Sequence, residues 1–179
     1  MWGPRIQGRV VLLRPVAEAE IPTFLGWFAD PTVLRYLGSA PYAQSPASER
    51  EWWEKAGTEP DGVTWGIEFQ GRVVGTTSIH RIDWASRNAM TGTAIGDRSA
   101  WGKGIATEAM QLRADYAFRQ LQLHKLVSGY YEPNVGSARA QAHCGYRVIG
   151  RAREDLYRNG RWHDLILTEL MRADWEAAR

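Results

Sequence analysis

Between Ile95 and Ile105 the hydrophobic period of this chain changes from two to about 3.6, across a turn built on Gly102-Lys103-Gly104. Upstream, residues 63–69, 72–82 and 89–97 are β-rich, broken at Gln70-Gly71 and at the polar turn Ser86-Arg87-Asn88. Downstream, Ile105, Ala109, Leu112 and Tyr116 form one apolar seam, predicting a helix that ends near Leu121. A strand that runs through a glycine turn into a long helix must lay that helix back on the sheet to bury its seam. This junction constrains the fold more than any other feature.

The remaining elements fit around it. Residues 9–16 read as a strand. Ile21, Phe24, Leu25 and Phe28 then give a helix with Pro22 in its first turn and Asp30-Pro31 as its stop. Ser45-Pro46, followed by the capping-box pattern Ser48-x-x-Glu51, predicts a second helix running to about Gly57. Residues 125–131 read as a strand, 135–144 as a short helix closed by Gly145, and 146–156 and 162–171 as strands joined at Asn159-Gly160. No linker interrupts the order, so residues 1–179 are expected to form one α/β (α+β) domain.

Composition narrows the function classes. A formal net charge of +2 with scattered Lys and Arg gives no electrostatic footprint for nucleic acid. Cys144 is the single cysteine, which excludes an intrachain disulfide and leaves no sulfur cluster for a metal. The opening Met1-Trp2-Gly3-Pro4-Arg5 has no apolar leader core, and the run Val10 to Leu13 is too short to span a bilayer. The expectation is a cytoplasmic protein with no metal and no membrane association.

The glycine turn carries the chemistry. Gly102 and Gly104 permit strained φ values and close backbone approach, and the first amides of the following helix have no internal partners. The helix dipole adds partial positive charge, so an anionic phosphate suits this place. Lys103 is followed by Gly104 rather than Ser or Thr, which excludes a P-loop, and the three-glycine dinucleotide fingerprint is missing.

Trp101-Gly102-Lys103-Gly104-Ile105-Ala106 resembles the acyl-coenzyme A pyrophosphate loop of the GNAT superfamily, in its ribosomal-protein-alanine and spermidine N-acetyltransferase branch. Trp101 stands where Gln or Arg is usual. Further segments are similar to that branch: Gly8 to Pro15, Trp27 to Pro31, Glu132-Pro133-Asn134 with Ser137, Cys144-Gly145-Tyr146, and Gly160 to Asp164. The resemblance implies a mixed, mostly antiparallel sheet of about six or seven strands, splayed at the acyl-CoA site and flanked by about four helices. It also implies acetyl transfer from acetyl-CoA to a primary amine, such as a small cationic amine or a protein N-terminus, with a homodimer as one arrangement.

By the same resemblance, Trp101 to Thr107 (Trp101, Gly102, Lys103, Gly104, Ile105, Ala106, Thr107), Asn134, Ser137 and Arg139 would contact acetyl-CoA, and a backbone N–H within Ala94, Ile95 and Gly96 would face the thioester oxygen. Asn134 is also a good helix cap. Met90 stands about where many relatives carry a glutamate, and Gln141 where members with a general-acid tyrosine place it. A primary ammonium with pKa near ~10.4 needs deprotonation, so His80 is the base expected on chemical grounds, with Asp83 and Glu68 next. Acceptor selection would fall to residues 24–57, which hold Trp27, Tyr36, Tyr42, Trp52 and Trp53 beside Glu49, Glu51 and Glu54. The two missing acid–base residues equally permit a non-catalytic acyl-CoA binding or sensing module. An unrelated nucleotide-binding protein would share only the turn.

Overall fold

The computed structural model describes residues 1–37 and 43–179; Tyr42 lies outside the described residues. Eight strands form one mixed sheet: β1 (Ile6–Gln7), β2 (Leu12–Arg14), β3 (Val63–Phe69), β4 (Arg72–Asp83), β5 (Asn88–Ile95), β6 (Lys125–Tyr131), β7 (Arg147–Arg158) and β8 (Arg161–Met171). Their spatial order is β1-β2-β3-β4-β5-β6-β8-β7, and β5–β6 is the parallel pair. Both hairpin turns are left-handed at two residues, Gln70-Gly71 (φ 52° and 78°) and Asn159-Gly160 (φ 52° and 77°), the twist that two-residue hairpins need.

The helices are α1 (Ile21–Phe28), α2 (Pro31–Leu34), α3 (Pro46–Thr58), α4 (Ile105–Arg119), α5 (Val135–His143) and α6 (Arg172–Ala177). The expected strand 9–16 is strand only at Leu12–Arg14; β1 lies before it, and residues 8–11 turn between the two. Glu108 explains the break: its carboxylate accepts the Arg9, Val10 and Val11 amides at 2.8 Å each. Asp30-Pro31 stops α1 as expected and also starts α2, because the Asp30 carboxylate caps the Thr32 amide at 2.7 Å. The cap of α3 is a correction: Ser45 and Ser48 exchange the capping bonds, and Glu51 has no part in them. Among the described residues no helix is long and apolar enough to cross a membrane.

The core lies between the sheet and α4. Val63, Trp65 and Ile67 of β3 and Ile79 of β4 project to this side with Ile105, Ala109, Ala114, Ala117 and Phe118 of α4. A smaller cluster of Val16, Phe24 and Val73, with Trp2, Trp27 and Trp53 packed on it, lies against α1 and α3. The tryptophans thus do mostly packing work, although Trp84, Trp101 and Trp162 are exposed.

Candidate active site

β5 and β6 pair over three residues only: Asn88 with Lys125, Ala89 with Leu126 and Met90 with Val127. Beyond Met90 the strands separate. β5 stays paired with β4 as far as Gly75–Ile95, and β6 stays paired with β8 as far as Tyr131–Leu165. Each arm is held by its outer neighbour, so a wedge opens at the carboxyl ends of two parallel strands, the usual ligand crevice of an open α/β sheet.

Side chains close the bottom of the wedge. Thr91 Oγ1 donates to the Val127 carbonyl and Ser128 Oγ to the Thr91 carbonyl, each at 3.2 Å. The Thr91 carbonyl therefore points towards β6. Backbone groups alternate along a strand, so Thr93 and Ile95 also turn their N–H groups to the wedge, whereas Ala94 faces β4. The Gly96 amide is bonded to the Val74 carbonyl at 3.0 Å. Of the three residues expected to hold the oxyanion donor, Ile95 turns its N–H to the wedge, and Ala94 and Gly96 turn theirs towards β4. Gly96 has a packing role instead: an added Cβ would lie 2.1 Å from the Trp27 ring.

The glycine turn stands at the mouth of the wedge. Asp97, two residues past β5, accepts the Ser99 amide at 2.8 Å and pairs with Arg72 at 2.5 Å; the Ser99 bonds and Arg72 together hold its carboxyl below the usual range despite burial. Gly102 and Gly104 have φ of 74° and 76°, and an added Cβ at either would meet nothing within 4 Å. They are glycine for backbone conformation and an open approach, not for packing. The Glu108 amide bonds the Gly104 carbonyl at 3.0 Å, leaving the amides of Ile105, Ala106 and Thr107 as the free first turn of α4. The Ile105 side chain is buried, so it contributes its backbone alone. The Trp101 indole donates to the Ile95 carbonyl at 2.8 Å and leaves its ring exposed beside Arg98. Lys103 lies over the Phe69 ring at 5.7 Å.

Asn134 caps α5, accepting the Ser137 amide at 3.1 Å at the end of β6. Arg139 is exposed on α5. Gln141, at the tyrosine position, is buried and saturated: its amide donates to the Gly129 carbonyl and Ser137 Oγ, and its oxygen accepts from Thr168. It ties α5 to β6 and β8 and has no proton to give. His80 lies directly across from Met90, half-buried, with Nδ1 3.3 Å from Ser78 Oγ. Burial first, then the positive charges of Arg113 and Arg81, lower its pKa. The reserve bases are both engaged. Asp83 accepts the Ala85 and Ser86 amides, and Glu68 pairs with Arg14 at 2.6 Å. His163 and Asp164 support the last hairpin through the Arg158 carbonyl and the Glu154 amide.

Two residues carry more than the sequence reading assigned. Glu49 is 5% exposed, and burial raises its pKa; no hydrogen bond or ion pair joins its carboxylate to any described residue. It occupies an inward position of α3 with Trp52, Trp53 and Ala56, an i, i+3, i+4, i+7 stripe that could have revealed it. Arg113 lies likewise on the buried stripe of α4, beneath Gly92 and Thr93.

With this geometry in place, the relatives can be compared. Residues 10–147 match the family model described as the acetyltransferase (GNAT) domain. The probable N-acetyltransferase YjcK of Bacillus subtilis (strain 168) is 37% identical over 59% of this chain and 58% of its own. The ribosomal protein uS5-alanine N-acetyltransferase of Escherichia coli (strain K12) is 29% identical over 60% of this chain and 55% of its own. The structure of spermidine N-acetyltransferase from Vibrio cholerae in complex with CoA and spermine has the same fold, with TM-score 0.85 over 94% of this chain and 99% of that one, at 20% identity.

Proposed function

Because the chain belongs to the GNAT family of acetyltransferases, we propose that it transfers the acetyl group of acetyl-CoA to a primary amine by direct attack in a ternary complex, with residues 1–179 acting as one catalytic domain. The observation that carries this reading is the wedge between β5 and β6, with the Thr93 and Ile95 amides turned into it and the glycine turn at its mouth. The free amides of Ile105 to Thr107, the αL glycines and Lys103 suit a pyrophosphate. The wedge-facing amides suit the thioester oxygen, because a fixed N–H there favours the charge that develops during attack. Asn134 and Ser137, at the end of the other arm, suit the pantetheine.

The acceptor is read as a cationic amine, either small or the N-terminus of a protein. The relatives act on such groups by name, and Glu49 places an unpartnered carboxyl within the acceptor region. Proton removal falls to His80 or to water reaching it, since Glu68 and Asp83 are engaged. The second reading, a non-catalytic acyl-CoA binding module, is favoured by one observation: Gln141 is locked where a general acid would stand.

A thiol-release assay with acetyl-CoA separates the two. Polyamines, aminoglycosides and Ala- or Ser-starting peptides form the panel. Turnover with at least one cationic amine is expected; CoA binding without turnover across the panel favours the binding module. Gly104→Val, forced into a left-handed conformation and carrying bulk at the open approach, is expected to weaken CoA binding at least tenfold by calorimetry. Unchanged affinity in the folded variant would remove the turn from the site.

A further inference from the structure

Arg113 is 1% exposed, and every acceptor it meets is neutral. Its Nη1 donates to the Gly92 carbonyl at 2.7 Å, the Thr93 hydroxyl at 2.8 Å and the Thr77 hydroxyl at 2.9 Å; Nη2 donates to the Tyr146 hydroxyl at 3.1 Å. Its buried Nε has no hydrogen-bond partner, and no carboxylate among the described residues pairs with it. The titratable groups around it bring no counter-charge. His80, on β4, has its pKa lowered by burial and then by Arg113 itself, and burial pushes Cys144, at the end of α5, up to about 11. Thr91 Oγ1 donates to Val127 and so accepts from the Tyr146 hydroxyl 3.3 Å away.

Burying a cation without a counter-ion is costly, and an apolar residue of similar volume would serve packing better. The placement of the charge gives the reason. Gly92 and Thr93 are among the first β5 residues beyond the last β5–β6 pair, and Tyr146 and Thr91 connect the guanidinium to the bottom of the wedge. The guanidinium therefore braces β5 against β4 through Thr77, Gly92 and Thr93, and reaches the bottom of the wedge through Tyr146. We propose that Arg113 is a positioning residue of the acyl site: it fixes the β5 edge of the wedge and supplies a positive charge there that favours a thiolate over a thiol. The inference rests on acetyl-CoA occupying the wedge. In the transfer a C–N bond forms at the thioester carbonyl carbon and the C–S bond breaks with its electron pair on sulfur. One nitrogen proton leaves and is finally taken up by sulfur, so stabilising the thiolate eases the C–S cleavage.

The test is a titration of the thiol of CoA bound to the whole protein, followed by thiolate ultraviolet absorbance after subtraction of the protein alone. Cys144, at about 11, stays silent through the range. An ordinary thiol titrates near ~8.5; the bound thiol is expected about one unit lower. Arg113→Lys keeps the charge and should keep most of the shift. Arg113→Gln keeps donors for Gly92 and Thr93 without the charge and should return the thiol to ~8.5 or above. With an amine acceptor, Arg113→Gln should lower kcat on the order of tenfold while KM for acetyl-CoA changes less than about threefold. An ordinary thiol titration in the wild-type complex overturns the inference, and so does an unchanged shift in folded Arg113→Gln. If neither variant folds, the wild-type titration decides alone. Failure of CoA to bind, read by calorimetry, would instead overturn the reading beneath it and the inference with it.

Discussion

At the scale of single residues, His80 and Glu49 are titratable groups whose surroundings disfavour the charged form. His80 has its pKa lowered by burial and by Arg113, so any kinetic ionisation it contributes should lie below the ordinary ~6.5. His80→Gln is expected to abolish the acidic limb of the kcat/KM profile and to lower the rate on the order of 10²-fold. Survival of both limb and rate would make His80 structural. Glu49 runs the opposite way to most carboxylates. Its folded pKa is raised, so the unfolded chain ionises first as pH rises. Stability is full below the unfolded value of 4.5 and is lost as pH climbs through the folded pKa. Glu49→Gln should therefore raise Tm relative to wild type at pH 8 and match it near pH 4. Parallel Tm curves for the two proteins across that range would show that Glu49 is solvated or paired.

At the scale of elements, the two helix starts flanking the wedge are built differently. α4 opens on an αL glycine with no side-chain cap, which leaves its first amides free for a ligand. α5 opens on Asn134, whose carboxamide oxygen is spent on the Ser137 amide. A cap alone is worth about 1 kcal/mol of stability and does not alter the kinetics of folded molecules. Asn134→Ala is expected to lose that stability and also to raise KM for acetyl-CoA at least threefold. Wild-type KM in a merely less stable variant would reduce Asn134 to a cap.

At the scale of the whole molecule, the wedge is a property of the sheet. β4 supports one arm and β8 the other, so the gap is set by the pairing of the strands. Hydrogen exchange can read the alternation along β5. The Thr93 and Ile95 amides should exchange rapidly in the free protein and slow when CoA binds; the Gly96 amide, bonded to Val74, should be protected in both states. Equal protection of Thr93 and Gly96 in the free protein would mean that the arms are closed.

The parts legible from sequence were those governed by local rules. The strand–glycine–helix junction, the hairpin at Asn159-Gly160, the Asn134 cap and the order of elements from α3 to β8 each depend on periodicity or backbone freedom, and the structure has them where the residues put them. What local rules could not supply were the partners. Glu108, in the first turn of α4, binds three amides about a hundred positions away in the chain. Ser48 read as capping α3 with Glu51, and the folded helix pairs it with Ser45 instead. Which β5 amides face the wedge depends on strand parity, fixed only once β4 pairs on one side and β6 departs on the other. The uncompensated charge of Arg113 is likewise tertiary. A guanidinium becomes costly and useful only when the packed sheet and helix exclude water around it, and no spacing along the chain encodes that exclusion.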